Sequence, residues 1–418
     1  EKELLQIESV TERLFRVARS WGFIRLDTPV FEHTEVFRNT AAFSEEKCYT
    51  FRDKSDRDLV LRPDLNASMV RAVMNGSGRK SGPHKLFCCD KVFRYRKSKK
   101  REFRMFGLET FGVLEERADA EILRVLGEMV LEMGFTGFAI EFGNVRVLPA
   151  LMLEAGSSSI GSFDLNSALF EIRAAKNLDE LKKKEFLTGL SSVAREILCD
   201  LRFGAGTSEE SFGLLKRLCK EYESVRPELE RLVRFENSLQ EYGLESFSLS
   251  LSNLHGTGFY SGLTYRLTPS GCLEELADGG RYDQMAEIIG GFKMPACGVG
   301  FGIERLIRLA GGLGVVAPEV SVRRIIVFFR DTMAALALRP GVSAMRRKGM
   351  VIEEGLVARK ISETISYGLE KKCQRIFYVQ ASGVDGFEIE CIYISNVTTR
   401  RSFAVSSREE ALALLGGH

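Results

Sequence analysis

The stretch from Val92 to Gly112, VFRYRKSKKREFRMFGLETFG, constrains the fold of this chain more than any other. Two runs with apolar or aromatic residues at alternate positions, Val92 to Tyr95 and Phe103 to Phe111, flank a polar tip, Lys97-Ser98-Lys99-Lys100. Period-two alternation around a short polar tip predicts an antiparallel hairpin. Seven basic residues (Arg94, Arg96, Lys97, Lys99, Lys100, Arg101, Arg104) fall within eleven positions, interrupted by the single acid Glu102. A charge run by itself describes a solvated tip. Arg94, however, stands on a strand between aromatic residues, where a merely solvated charge is poorly placed. A guanidinium fork there suits a phosphate or a carboxylate. Glu109 sits among apolar neighbours on the outgoing strand. A buried carboxylate needs a partner, either an internal base or a cationic ligand.

The chain has 418 residues, enough for two or three domains and a large core. Its net charge is +2, from 59 basic and 57 acidic residues, so no global electrostatic argument for a nucleic-acid partner is available. Basic character is local, in the hairpin and in Arg346-Arg347-Lys348. No stretch approaches the ~20 apolar residues of a membrane span, and no charged start leads into an apolar signal core. The expectation is a cytoplasmic protein without membrane contact. Nine scattered cysteines and four histidines offer no zinc-ligand spacing, so no metal site is expected and the thiols read as buried and free.

Ile7, Val10, Leu14 and Val17 outline an amphipathic helix ended by Gly22, and Phe23 to Phe31 with Pro29 reads as extended. Lys47 to Leu61 alternates as a hairpin around Asp53-Lys54-Ser55-Asp56. Arg62-Pro63-Asp64-Leu65-Asn66 is a turn whose Asn66 suits the cap of a helix over Ala67 to Met74. A helix from Ala118 to Met133 and a strand from Phe138 to Phe142 follow. From about 144 to 242 the patterns are helical and heavily charged, which reads as a helical insertion or a lid within the sheet domain. Strands return near 246–251 and 262–267. Gly298-Val299-Gly300-Phe301-Gly302 is a glycine-rich strand passing into a helix, its glycines suited to close backbone approach. Residues 311–322, with Gly311-Gly312-Leu313-Gly314 and Pro318, are the linker candidate. Strands and helices then alternate from Ile325 to Ile394, a small α/β domain. The expected fold class is α+β, with residues 1–310 forming the core domain and 323–418 the smaller one.

Arginines on a mostly antiparallel sheet with glycine-rich turns suit an anionic, planar ligand, and Arg94, Arg281 and Arg305 are the candidates for phosphate or carboxylate contact. Glu109, Tyr260 and Tyr282 suit a pocket for a small cation or amine. No GxSxG, CxxC or Walker loop is present, and the Gly298 run lacks the third glycine of a dinucleotide loop. His255 is the one histidine in a plausible site, within Leu254-His255-Gly256-Thr257-Gly258.

Together these residues resemble the catalytic domain of class II aminoacyl-tRNA synthetases, in particular the histidyl branch. Trp21-Gly22-Phe23 through Thr28-Pro29 is similar to the first, dimer-forming motif. Phe93-Arg94-Tyr95, Arg101-Glu102-Phe103 and Phe106-Gly107-Leu108-Glu109 resemble the second, and Gly300 to Leu306 the third. Ala277-Asp278-Gly279-Gly280-Arg281-Tyr282-Asp283 resembles the segment peculiar to histidyl enzymes, and the last domain is similar to the α/β anticodon-binding domain. The resemblance implies histidine contact at Asp64, Asn66, Glu109, Tyr260 and Tyr282, ATP or phosphate contact at Arg94, Arg101 and Arg305, and a homodimer.

Several positions depart from the synthetase pattern. His255 stands where the family's RGLxYY segment has a catalytic arginine, and a mostly neutral imidazole stabilises a pentavalent phosphorus poorly. Arg96 replaces a glutamate that contacts adenine, Met105 replaces a glutamine, and the RPEGT turn reads Arg62-Pro63-Asp64-Leu65-Asn66. These departures resemble the synthetase-like regulatory subunit of ATP phosphoribosyltransferase, and Ala174 to Leu181 is similar to a stretch of its insertion. That resemblance implies a non-aminoacylating protein that binds histidine and a short catalytic subunit, with no tightly bound cofactor. An active histidyl-tRNA synthetase using ATP and Mg, or a pseudo-synthetase that binds tRNA or signals starvation, are the alternatives.

Overall fold

The computed structural model describes residues 2–38, 40, 46–75, 83–97, 100–155, 171, 174–175, 177–184, 187, 190–203, 208–250, 260–291, 293–314, 324–355, 360–371, 373–394 and 399–416. The chain divides into two compact units, Glu1–Ala317 and Pro318–His418. In the first unit the strands are β1 (Ile24–Arg25), β2 (Phe31–His33), β3 (Tyr49–Arg52), β4 (Asp58–Leu61), β5 (His84–Phe93), β6 (Glu102–Phe111), β7 (Phe138–Asn144), β8 (Phe247–Leu249), β9 (Leu263–Pro269), β10 (Ala277–Arg281) and β11 (Ala296–Gly302). Eight of them form one sheet in the order β1-β5-β6-β11-β10-β9-β7-β8, and β2-β4-β3 form a second, small one. The six central strands of the large sheet pair antiparallel, while β1 and β8 add at the edges in parallel.

The central hairpin is β5 and β6, paired from His84–Phe111 to Phe93–Glu102. Arg94 therefore lies one step beyond the strand rather than on it. Its N–H donates to Arg101 O at 2.9 Å, but Tyr95 N–H turns away to Lys47 O at 2.8 Å, which ends the ladder.

Because side chains alternate across a strand, the sheet has two unlike faces. One face carries Phe87, Phe106, Leu108, Val299, Phe301, Tyr265 and Phe142, all buried. Phe106 stacks between Phe87 and Phe301 with centroids 5.7 and 5.3 Å away. Phe15 of the helix Lys2–Ser20 packs on Phe87 at 5.1 Å. Each fully buried Phe of this kind contributes roughly 1.5–3 kcal/mol. The helix Arg226–Glu241 of the insertion lands on the same face, with Phe235 against Phe142 at 5.1 Å and Tyr265 at 6.1 Å. Among the described residues, this part of the insertion belongs to the core and is not a lid over the opposite face.

The other face is floored by glycines at its centre. It presents Phe103, Met105, Gly107 and Glu109 from β6, Gly298, Gly300 and Gly302 from β11, and Asp278 and Gly280 from β10, as their register requires. The helix Asn66–Asn75 covers part of it through Met69, Val70, Val73 and Met74. The turn before this helix is anchored by Arg62, which is fully buried. Arg62 donates to Thr28 O at 2.6 Å and Lys91 O at 2.8 Å and pairs with Asp90 at 2.5 Å.

The second unit has β12 (Arg324–Phe329), β13 (Val351–Glu354), β14 (Arg375–Ser382), β15 (Gly386–Tyr393) and β16 (Thr399–Val405), in the order β13-β12-β14-β15-β16. The first three in that order are parallel and the last two pairings antiparallel. The helix Thr332–Arg347 starts with Asp331 accepting from Ala334 N at 2.8 Å. Strand β16 and the helix Arg408–Gly416 lie beyond the last element read from the sequence. Strand β16 has no buried residue, so it gives no apolar alternation to read. Among the described residues, no helix is long and apolar enough to cross a membrane, no group of histidine, cysteine and acidic residues could hold a metal, and all nine cysteines are free.

Candidate functional site

The glycine-floored face of the large sheet forms a groove with acids at one end and arginines at the other. Glu109 is fully buried. Its Oε2 accepts a short hydrogen bond from Tyr282 O–H, and its Oε1 is buried with no hydrogen-bond partner among the described residues. Burial pushes the Glu109 pKa well above the carboxylate range, nearby Asp64 adds to the rise, and only the Tyr282 bond opposes it. Tyr260 lies over Gly280, where an added Cβ would come within 2.8 Å of its ring. Burial raises the Tyr260 phenol, and the charges of Asp278, Asp64 and Glu109 raise it further, so these four side chains share one neighbourhood.

Asp278 completes the acidic end, although sequence reasoning assigned it no role. Its carboxyl retains solvent access, yet the protein crowded around it raises its pKa, with Glu275 and Asp64 adding to the effect and Arg305 and Arg94 opposing it. The register that sets Asp278 opposite Gly300 on the groove face is the feature that identifies it. Such a cluster of carboxyls and phenols offers acceptors to an ammonium or imidazolium group.

Asp64 links the two ends. Its Oδ1 accepts from Asn66 N–H at 2.7 Å, and its Oδ2 pairs with Arg94 at 3.1 Å. Asp64, not Asn66, thus supplies the acceptor at the start of the helix, because Asn66 is already its first residue. The Asn66 Oδ1 is buried with no hydrogen-bond partner among the described residues. Arg94 also donates to Pro63 O at 2.5 Å, so the RPD turn holds it from two atoms.

At the arginine end, Phe103 carries two guanidiniums: Arg96 lies 4.5 Å and Arg94 5.6 Å from its ring centroid. Arg305, on the first turn of the helix Ile303–Gly312, enters from β11 and donates to Glu275 O at 3.3 Å. Glu304 clamps the neighbouring strand by accepting from Arg104 N–H at 3.0 Å. Arg101 stands apart, exposed, with its guanidinium 4.6 Å from the Tyr95 ring.

Met105 lies between the two ends. Its methyl would meet a Cβ added at Gly300 at 2.4 Å, so it rests on the middle of the glycine floor.

Arg281 is not an anion contact. It is buried, paired with Asp119 through a short bond, and donates to Val113 O at 2.9 Å and Glu115 O at 3.0 Å. Its side chain points to the core face because position 281 alternates with Gly280. Burial would lower the guanidinium, but Asp119 against it holds it raised. His255 lies outside the described residues.

A sequence profile of the histidyl-tRNA synthetase family matches residues 1–306. The histidine–tRNA ligase of Pyrococcus horikoshii is 26% identical over 370 residues, 86% of this chain and 84% of the relative. The ATP phosphoribosyltransferase regulatory subunit of Caldanaerobacter subterraneus subsp. tengcongensis is 29% identical over 355 residues, 82% of this chain and 89% of the relative. The solved histidyl-tRNA synthetase of Nostoc sp. PCC 7120 shares the fold, with a TM-score of 0.78 at 18% identity, covering 99% of this chain and 96% of that one. The profile covers most of the chain, including the three strands and the turn that build the groove, and the chain therefore belongs to the histidyl-tRNA synthetase family.

Proposed function

We propose that this chain binds histidine without activating it and serves as the regulatory subunit of ATP phosphoribosyltransferase. The observation that carries the reading is Met105 on the glycine floor between Glu109 and the arginines. Activation of an amino acid brings its carboxylate to within about 3–3.5 Å of a phosphorus. A thioether methyl at the midpoint separates an amino acid at the acidic end from a phosphate at the arginine end. The acidic end keeps what an amino acid with a basic side chain needs: Glu109 and Asp64 for a cationic group, and Tyr260 and Tyr282 around it. Histidine at this site would report its own concentration to a short catalytic subunit, and the regulator would work as a homodimer in the cytoplasm with no tightly bound cofactor. The regulatory-subunit relative, at 29% identity, supports the reading.

The test is calorimetric titration of histidine together with histidine-dependent ATP–pyrophosphate exchange on the same protein. Binding without exchange, followed by a rise in phosphoribosyl transfer when the chain is mixed with a short catalytic subunit, is the expected result. No rise on mixing would sink the regulatory role.

A second reading is favoured by Arg94 and Arg305 facing one groove and by relatives named histidine–tRNA ligase. In an active ligase these arginines would hold the phosphates of ATP, with Mg supplying further charge neutralisation. Exchange dependent on histidine would establish that reading. Absence of both binding and exchange would leave a tRNA-binding pseudo-synthetase, recognisable by RNA affinity that falls steeply with salt.

A further inference from the structure

Met105 occupies the middle of the groove, and its neighbours give its sulfur little cover. On the groove face of β6 it is followed by Gly107, and across the strand pair it meets Gly302, with Gly300 opposite Gly107. Its methyl reaches over Gly300, where an added Cβ would come within 2.4 Å. Three glycines thus lie around the thioether and offer it no side chain, and Met105 is only half-buried. The methionines of the groove wall differ. Met69 and Met74, on the helix Asn66–Asn75, are fully buried, and Met285 is nearly so. Thiols do not compete with Met105 for an oxidant. Eight of the nine cysteines are buried, and burial pushes the Cys88 thiol up to about 11 and the Cys89 thiol up to about 12. A thiol held in its protonated form reacts poorly with oxidants, whereas a thioether has no proton to lose.

We propose that Met105 is an oxidation site, through which hydrogen peroxide or another hydroperoxide weakens amino-acid binding in the groove. The Sδ lone pair attacks one peroxide oxygen: an S–O bond forms, the O–O bond breaks, and the departing oxygen takes a proton. Sulfur gives up two electrons and becomes a sulfoxide, while hydrogen peroxide is reduced to water. An apolar side chain is thereby turned into a polar one with a strong acceptor. The methyl already fills the space above Gly300, so the enlarged side chain must rise from the floor into the groove. Gly300 pairs with Asp278, so the new acceptor appears beside a carboxyl, which has no donor to give it when ionised. The proposal rests on the histidine reading of the groove, because it names how that site is turned off.

The experiment treats the full-length chain with a series of hydrogen peroxide concentrations, followed by mass spectrometry of its peptides and histidine titration. Met105 should become the sulfoxide while Met69 and Met74 stay reduced. Histidine affinity should fall about tenfold or more, as an unsatisfied acceptor in the site requires. The loss should track the Met105 sulfoxide fraction and be reversed by reductases for both sulfoxide epimers, neither of which needs a variant. Each variant is compared with its own untreated affinity. Met333→Leu, at an exposed position of the second unit, should lose affinity on treatment as the wild type does, whereas Met105→Leu should resist. Met105 left unoxidised, affinity unchanged once it is oxidised, or an equal loss in Met105→Leu would overturn the proposal and leave the histidine reading standing. No histidine binding by the untreated protein would overturn both.

Discussion

Glu109 lies directly across the sheet from Gly298, and a Cβ at position 298 would come within 1.5 Å of Glu109 Oε2. The glycine is what lets a glutamate fold flat against its own sheet and point a carboxyl along the groove.

Gly298→Ala should therefore displace the carboxyl or the strand. Overpacking of this kind costs about 1–3 kcal/mol. Urea unfolding should show the loss of stability, and histidine affinity should fall with it. A variant as stable as wild type that binds histidine normally would mean that Glu109 does not face the ligand.

Among the described residues, Tyr282→Phe removes the one hydrogen bond to Glu109 and leaves both carboxyl oxygens without a donor. An unsatisfied buried group costs about 1–3 kcal/mol, and the Glu109 pKa should rise further because the opposing bond is gone. Thermal unfolding of the variant beside Glu109→Gln gives the comparison. The double variant should be less destabilised than the sum of the two, since they share one bond.

The raised Glu109 pKa fixes the sign of a pH dependence. The folded protein holds this proton above the ordinary value of 4.5, whereas the unfolded chain gives it up there. The Glu109 contribution to stability is thus complete below 4.5 and is lost as pH rises toward the folded pKa. Wild type should lose stability relative to Glu109→Gln as pH is raised, measured as urea midpoints across the series. A cationic ligand that ionises Glu109 should also release a proton, seen as a binding heat that changes with the ionisation enthalpy of the buffer.

Arg281→Leu leaves the buried Asp119 without its partner. Breaking such a pair from one side costs about 3–5 kcal/mol. Denaturant unfolding should show that loss. In the soluble fraction that remains folded, histidine affinity should be unchanged, since Arg281 does not face the groove.

The difference between Arg281 and Glu109 shows what was legible in the sequence. A carboxylate among phenylalanines is anomalous wherever its strand lies, so Glu109 could be singled out from local composition alone. Arg281 follows two glycines and looks equally free to face either side. Only the register of β10 turns it toward Asp119, and nothing local marks that aspartate on an otherwise amphipathic helix. The same register puts Asp278 on the groove face, which is why it was not placed there from the sequence. The hairpin was legible because its alternation is strong, but its end was not. The switch of Tyr95 to Lys47 is a contact between residues far apart in the chain. Strand β16 shows the opposite limit, since it pairs through its backbone and buries no side chain to leave a pattern.

Asp64 holds Asn66 N–H through one oxygen and Arg94 through the other. A carboxylate shared in this way acts as an exchangeable counterion. An anion that engages Arg94 competes with Asp64 for it and frees negative charge beside Glu109 and Tyr260, where a cation would be drawn in. Occupancy at either end of the groove then favours occupancy at the other, and reciprocity requires that the factor be the same in both directions. One side chain on a short turn would be enough to couple the two proposed ligands without moving a helix.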